Sequence, residues 1–135
     1  MKALVVDDDR TTRLVLQKLL SPYGEVHRCV DGAEAVQAAG QALDHGTSYD
    51  LICLDLMMSR MSGLDALKLI REEEERHGCS GIHASKVIIT TASGDDESIS
   101  SAFRELCDAY LLKPIDGTKL LNLVCCLCPI ETITP

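Results

Sequence analysis

The segment Ala3-Leu4-Val5-Val6-Asp7-Asp8 runs an unbroken apolar stretch directly into a pair of carboxylates. A short run without polar alternation suits a β-strand covered on both faces, since alternate side chains point to opposite sides of a sheet. The same grammar recurs down the chain. Leu51-Ile52-Cys53-Leu54 ends at Asp55, Val87-Ile88-Ile89-Thr90 at Thr91, and Tyr110-Leu111-Leu112 at Lys113. Strands are therefore predicted over 2–6, 25–29, 51–54, 86–90 and 109–112. The second, Glu25-Val26-His27-Arg28-Cys29, is more polar and suits a sheet edge.

Helical patterns separate the strands. Leu14, Leu16, Leu19 and Leu20 recur at helical spacing until Pro22-Tyr23-Gly24 stops them. Asp31-Gly32-Ala33-Glu34 reads as a capping box opening the second helix. The third is predicted from about Leu64 to His77, with Leu64, Leu67 and Ile70 on one stripe and the Glu72–Glu75 run as a solvated face. Asp95-Asp96-Glu97 places acids on the first turn of a fourth helix, where the dipole favours them. Asp116 is placed to cap a fifth, which Pro129 ends.

Alternating strands and helices imply a parallel sheet with right-handed crossovers. The predicted class is α/β: a doubly wound, flavodoxin-like sheet of five parallel strands in the order 2-1-3-4-5 with five helices. In that order the crevice opens at the carboxyl ends of strands 1 and 3. Asp7, Asp8 and Asp55 flank it, and Thr91 and Lys113 come from the neighbouring strands.

Composition narrows the function. The 135 residues make one domain, 46% of them hydrophobic, with no Trp and one Phe, so aliphatic side chains fill the core. A net charge of −8 argues against a DNA-binding surface. No apolar run approaches the roughly 20 residues of a membrane span. The start, Met1-Lys2-Ala3-Leu4-Val5-Val6-Asp7, turns acidic too soon for a signal peptide, so a cytoplasmic protein is expected. The seven cysteines then read as reduced thiols acting as small hydrophobes. Cys125-Cys126-Leu127-Cys128 contains a C-x-x-C spacing, but no second pair completes a zinc site, and plain packing is the reading preferred.

Three carboxylates in one crevice repel unless something neutralises them. Mg²⁺, or a similar ion such as Mn²⁺, does so with oxygen ligands. Lys113 supplies a further positive charge and Thr91 a hydroxyl donor. The set suits a phosphoryl group, with Asp55 as a nucleophile able to form an acyl phosphate. Singly, each residue has a plainer reading as a helix cap or turn. Their joint occurrence at four strand ends is what argues for a site.

The stretches Val5-Val6-Asp7-Asp8, Asp55-Leu56-Met57-Met58-Ser59-Arg60-Met61-Ser62-Gly63, Thr91-Ala92 and Tyr110-Leu111-Leu112-Lys113-Pro114 together resemble a response-regulator receiver domain, most closely the stand-alone CheY type. The resemblance covers residues 2 to about 127. It implies a receiver domain over 1–128, with 129–135 a short tail and no output domain. It implies that Asp55 accepts a phosphoryl group from a histidine kinase or phosphotransfer protein. Asp8, Asp55 and the Met57 backbone carbonyl would bind Mg²⁺, with Asp7 acting through a water. Lys113 would contact the phosphoryl oxygens, Thr91 and Tyr110 would switch, small Ala92 would leave the site open, and Lys113-Pro114 would be a cis peptide. The output would be a changed face of helix 4, strand 5 and helix 5, with Glu97, Arg104, Glu105 and Lys119 as exposed candidates. A separate target protein would read that face, in chemotaxis-type or phosphorelay signalling. Apart from self-phosphorylation and self-dephosphorylation, no enzymatic activity is expected.

The chain departs from the family pattern in places. Ser59 stands where the family usually has Pro, and Met57 and Ser93 hold positions that tune dephosphorylation. Gly78 to Ser85 is longer than usual and reads as a mobile loop.

Three other readings compete. Asp7-Asp8-Asp9-Arg10-Thr11 fits the D-x-D-x-T pattern of haloacid-dehalogenase-type phosphohydrolases, with Asp7 as nucleophile and Asp9 as acid. That reading lacks an acidic pair after Lys113 and leaves Asp55 unexplained. A binding module that has lost the switch is opposed by the intact Asp7, Asp8, Asp55, Thr91 and Lys113. A flavodoxin-like cofactor binder would want Gly and Ser, not acids, in the first loop.

Overall fold

The computed structural model describes residues 1–58, 60–92 and 106–128. Five strands, β1 (Lys2–Val6), β2 (Glu25–Cys29), β3 (Leu51–Asp55), β4 (Lys86–Thr91) and β5 (Ala109–Leu112), form one parallel sheet in the order β2-β1-β3-β4-β5. Four helices are present among the described residues: α1 (Arg10–Leu20), α2 (Gly32–Asp44), α3 (Gly63–Arg76) and α4 (Gly117–Leu127). The last is the helix predicted as the fifth. The predicted fourth helix and Ser59, Ser93, Glu97, Arg104, Glu105 and Pro129 lie outside the described residues. Asp55 and Thr91 are the final residues of their strands rather than the first beyond them.

The sheet is covered on both faces, which is why its central strands read as continuous apolar runs. On one face Leu4, Val6, Ile52, Leu54, Val87 and Ile89 pack with Ala35 and Ala39 of α2 and Leu67 and Ile70 of α3. On the other, Ala3, Val5, Cys53 and Ile88 pack with Leu16 and Leu20 of α1 and Leu120 and Val124 of α4. β2 is the polar edge, buried only at Cys29.

Polar caps set the helix starts, as predicted for Asp31 and Asp116 and not singled out for Asp9. Asp9, Asp31 and Asp116 accept backbone N–H groups from the first turns of α1, α2 and α4. Ser62, not singled out from sequence, caps α3 in the same way. The residue after it must be glycine. A Cβ on Gly63 would run into the Asp55 carbonyl oxygen and the Leu56 backbone. This close approach presses the start of α3 against the end of β3 and fixes the chain leaving Asp55.

Two expectations need correction. Glu74 is not on a solvated face: it is 2% exposed. It continues the stripe of Leu67 and Ile70 by one further turn, which carries it against the chain entering β4. There it accepts from the Arg71 guanidinium (2.7 Å) and the Ser85 N–H (2.7 Å). Arg71 also donates to the Ser85 and Leu106 carbonyls, and it pairs with Asp108. The stretch read as a loop, Gly78 to Ser85, contains a 3-10 turn (Gly81–His83) and is tied at both ends to Glu74.

The cysteines also divide. Burial pushes the thiols of Cys29 and Cys53 up to about 12, as small hydrophobes should behave. Cys128 packs against the core and its thiol donates to the Asp50 carbonyl. Cys125 and Cys126 are exposed instead of packed, because Leu120 and Val124 carry the buried stripe of α4.

Removing the Glu74 carboxylate leaves the Arg71 charge and the Ser85 N–H without their partner. Glu74→Ala is expected to lower the unfolding free energy by about 3–5 kcal/mol, the usual effect of breaking a buried ion pair. Urea unfolding of the variant beside wild type measures it.

Candidate phosphoryl and metal site

The topology brings the predicted residues to one end of the sheet. Asp7 follows β1, where its N–H donates to the Cys29 carbonyl at 3.2 Å. Asp55 closes β3, and the Leu56 N–H behind it donates to the Thr90 carbonyl at 2.9 Å. Thr91 is buried at the end of β4, and its carbonyl accepts the Lys113 N–H at 2.8 Å. That bond carries the register of β4 and β5 one residue past the strand and delivers Lys113 to the crevice. The Lys113-Pro114 peptide is cis. Exposed Ala92 follows Thr91, and Tyr110 lies within β5 opposite Ile89.

Asp7, Asp8 and Asp55 each offer a carboxylate oxygen, and these oxygens lie within 4.8 Å of one another. Asp7 and Asp55 are buried, whereas Asp8 faces solvent. The Lys113 ammonium sits 2.9 Å from Asp7 Oδ2 and 3.4 Å from Asp55 Oδ1. The Met57 N–H donates to Asp55 Oδ1 at 3.3 Å. Met57 itself is 73% exposed.

Electrostatics follow from this packing. Burial first, and then the charge of Asp7, push the Asp55 carboxyl up to about 6, against the opposing pull of Lys113 and the Met57 N–H. For Lys113, burial disfavours the charge, but the hydrogen bond to Asp7 and the charges of Asp55 and Asp7 outweigh it and hold the ammonium above its ordinary range. The donor set is all oxygen, compact and over-supplied with negative charge, and so fits a hard divalent cation.

Two arginines that sequence reasoning passed over support the site. The Arg13 guanidinium of α1 donates to the Asp7 carbonyl at 2.7 Å. The available signal was helical: Arg13 lies one turn beyond the Asp9 cap. Arg60 pairs with Asp31 at 3.6 Å and ties the loop after Asp55 to the start of α2. Asp9 is occupied otherwise. It accepts from the Thr12 N–H and hydroxyl, and the hydroxyl bond foremost holds its carboxyl below the usual range. In this structure the Asp9 side chain serves as the cap of α1.

Comparison with known proteins agrees. A model of the response regulator receiver domain matches residues 3–125. The chain belongs to the response regulator receiver domain family. Among curated relatives of this receiver domain, the sensory/regulatory protein RpfC of Xanthomonas campestris pv. campestris is 37% identical over 122 residues, covering 90% of this chain and 16% of that protein. The transcriptional regulatory protein BtsR of Salmonella typhi is 32% identical over 120 residues, covering 89% of this chain and 45% of that one. The chain thus spans a minor part of the relatives it matches. Among solved structures, Vibrio cholerae CheY4 superposes with a TM-score of 0.76 at 23% identity, covering 93% of this chain and 97% of that one. The receiver domain of the Arabidopsis thaliana histidine kinase CKI1, complexed with Mg²⁺ and BeF₃⁻, gives 0.75 at 26% identity, covering 91% and 86%.

Because the Asp55 carboxyl titrates higher in the folded chain (about 6) than unfolded (3.8), its contribution favours the fold below about pH 4 and is lost as pH rises through 6. In metal-free buffer Asp55→Asn is therefore expected to match wild type below pH 4. Above pH 7 it should be more stable by on the order of 1–3 kcal/mol. Unfolding titrations at both ends of that window test the sign.

Proposed function

We propose that this receiver domain is a phosphorylation switch in which Asp55 takes a phosphoryl group from the phosphohistidine of a histidine kinase or phosphotransfer protein. The observation that carries the reading is the Lys113 ammonium lodged between Asp7 and Asp55. A cation already placed against the nucleophile is preorganised for the charge that arrives with a phosphate.

Asp8, Asp55 and the Met57 carbonyl would hold Mg²⁺, or Mn²⁺ in its place, with Asp7 acting through a water. The bound ion would neutralise the carboxylates and stabilise the equatorial phosphoryl oxygens. The Asp55 carboxylate attacks phosphorus, an O–P bond forms, the P–N bond to the donor imidazole breaks, and the imidazole keeps the electron pair and takes a proton. Lys113 then pairs with phosphoryl oxygen and Thr91 donates its hydroxyl to another. Tyr110, on the strand beside Thr91, changes rotamer with it.

The readout is the face of β5 and α4, where Leu112 and Lys119 are exposed. A separate protein reads it in chemotaxis-type or phosphorelay signalling in the cytoplasm. The only chemistry is the gain and loss of its own phosphoryl group. Among the described residues no helix is long and apolar enough to cross a membrane.

Incubation with acetyl phosphate and Mg²⁺ is expected to add one phosphoryl group by mass spectrometry, to be blocked by a chelator, and to fail in Asp55→Asn. Equal labelling of that variant and wild type would remove Asp55 as the acceptor.

A further inference from the structure

We propose that Thr90 is a positioning residue of the phosphoryl site, whose hydroxyl donates to the Asp55 carboxyl oxygen that Lys113 releases when a phosphoryl group arrives. The inference rests on Asp55 being the phosphoryl acceptor. Its starting point is an orphaned polar atom. Thr90 is 1% exposed, and among the described residues its hydroxyl oxygen has no hydrogen-bond partner. Buried hydroxyls are nearly always paired, and leaving one unpaired costs stability.

The sheet register locates this hydroxyl. Thr90 is the direct neighbour of Asp55 on β3 and of Leu111 on β5. Side chains alternate along a strand, so Asp55 lies on the same side as Cys53, and Thr90 on the same side as Ile88. Cys53, Ile88 and Leu111 all pack in the cluster with α1 and α4. Asp55 and Thr90 therefore stand side by side on one face, on strands about 4.8 Å apart. The Leu56 N–H, bonded to the Thr90 carbonyl at 2.9 Å, fixes that pairing. Lys113 arrives from beyond β5, yet its ammonium ends 3.4 Å from Asp55 Oδ1 on β3. Strand β4 lies between the two, so the lysine side chain spans it at the row that Thr90 occupies. Thr91 is one residue further on; Thr90 is level with Asp55 itself.

That place gives the hydroxyl a task in one state and none in the other. In the resting site Asp55 Oδ1 takes both the Met57 N–H at 3.3 Å and the Lys113 ammonium at 3.4 Å. Phosphoryl transfer changes these partners. One carboxyl oxygen bonds to phosphorus, the carboxylate loses its charge, and Lys113 turns to the phosphoryl oxygens. The remaining acyl oxygen has then lost a donor. A threonine hydroxyl rotates to suit its surroundings, and Thr90 carries one a single strand away. The hydroxyl keeps its proton throughout and only donates it. The new bond fixes the plane of the acyl group, and with it the direction of the phosphoryl group.

The test separates the loaded state from the resting one. Wild type, Thr90→Val and Thr90→Ser are titrated with beryllofluoride, a phosphoryl mimic, in the presence of Mg²⁺. Their melting is followed with neither present. Valine keeps the shape of threonine without the hydroxyl, and serine keeps the hydroxyl. Thr90→Val is expected to need about three- to tenfold more beryllofluoride for half-saturation, the range of one net hydrogen bond. The same variant should melt about 2–5 °C higher when unloaded, because the buried orphan is gone. Thr90→Ser should bind beryllofluoride as wild type does. Weaker binding joined to greater resting stability is a pair of opposite changes that a purely structural hydroxyl does not produce. Unchanged half-saturation in Thr90→Val, a lower melting temperature for it, or equally weakened binding in Thr90→Ser overturns the proposal. Absence of acetyl phosphate label in all three proteins would instead overturn the role of Asp55.

Discussion

One ammonium group keeps two carboxylates together that would otherwise drive each other apart. Asp7 and Asp55 come from adjacent strands, both are buried, and burial makes their repulsion expensive. Lys113 offsets that repulsion from two strands away, and its own charge is retained in a half-buried place only because the acids are there. The three groups are thus mutually conditional. The offset is incomplete, since Asp55 still titrates near 6. The site is a place where the fold accepts instability, and the remaining negative charge is what makes a divalent cation welcome there.

The sheet holds this arrangement by backbone bonds rather than by the charges themselves. Ladder-like bonds from Asp7 to Cys29, Leu56 to Thr90 and Lys113 to Thr91 continue the pairing past the strand ends and aim the side chains. Gly63 adds a steric constraint from the other side, since no side chain fits where α3 meets the end of β3. Arg13 and Arg60 then fasten the two loops that carry the acids. Rigid strands with pinned loops are what a site needs when its chemistry depends on charges held at fixed separation.

Much of this could be read from residue order. Apolar runs ending in Asp, Thr and Lys located four of the strands, and the polar second run marked the edge, because burial on two faces leaves a direct imprint on composition. The Asp31 and Asp116 caps were readable for a similar reason, since capping is a local interaction between near neighbours in sequence, whereas the Asp9 cap was not singled out. What escaped was non-local or hidden by chemical type. Glu74 looks like one acid among four, and only its place on the Leu67 and Ile70 stripe betrays that it is buried with Arg71. Gly63 gives no sign that a backbone crosses it, and the Arg13 bond to Asp7 joins a helix to a strand end. The cysteine cluster misled in the other direction, because apolar character alone does not say which side of a helix faces the core.

The Arg71 and Glu74 network has a practical meaning for anyone altering this domain. Glu74 holds the chain at Cys79 through its backbone carbonyl and again at Ser85 through its carboxylate, and the tip between them has Ile82 and His83 exposed. Strand β4 begins just past the second clamp, and Thr91 lies at its far end. That makes the tip a natural attachment point: a fluorophore or an inserted peptide there leaves the crevice at the opposite end of the strands undisturbed.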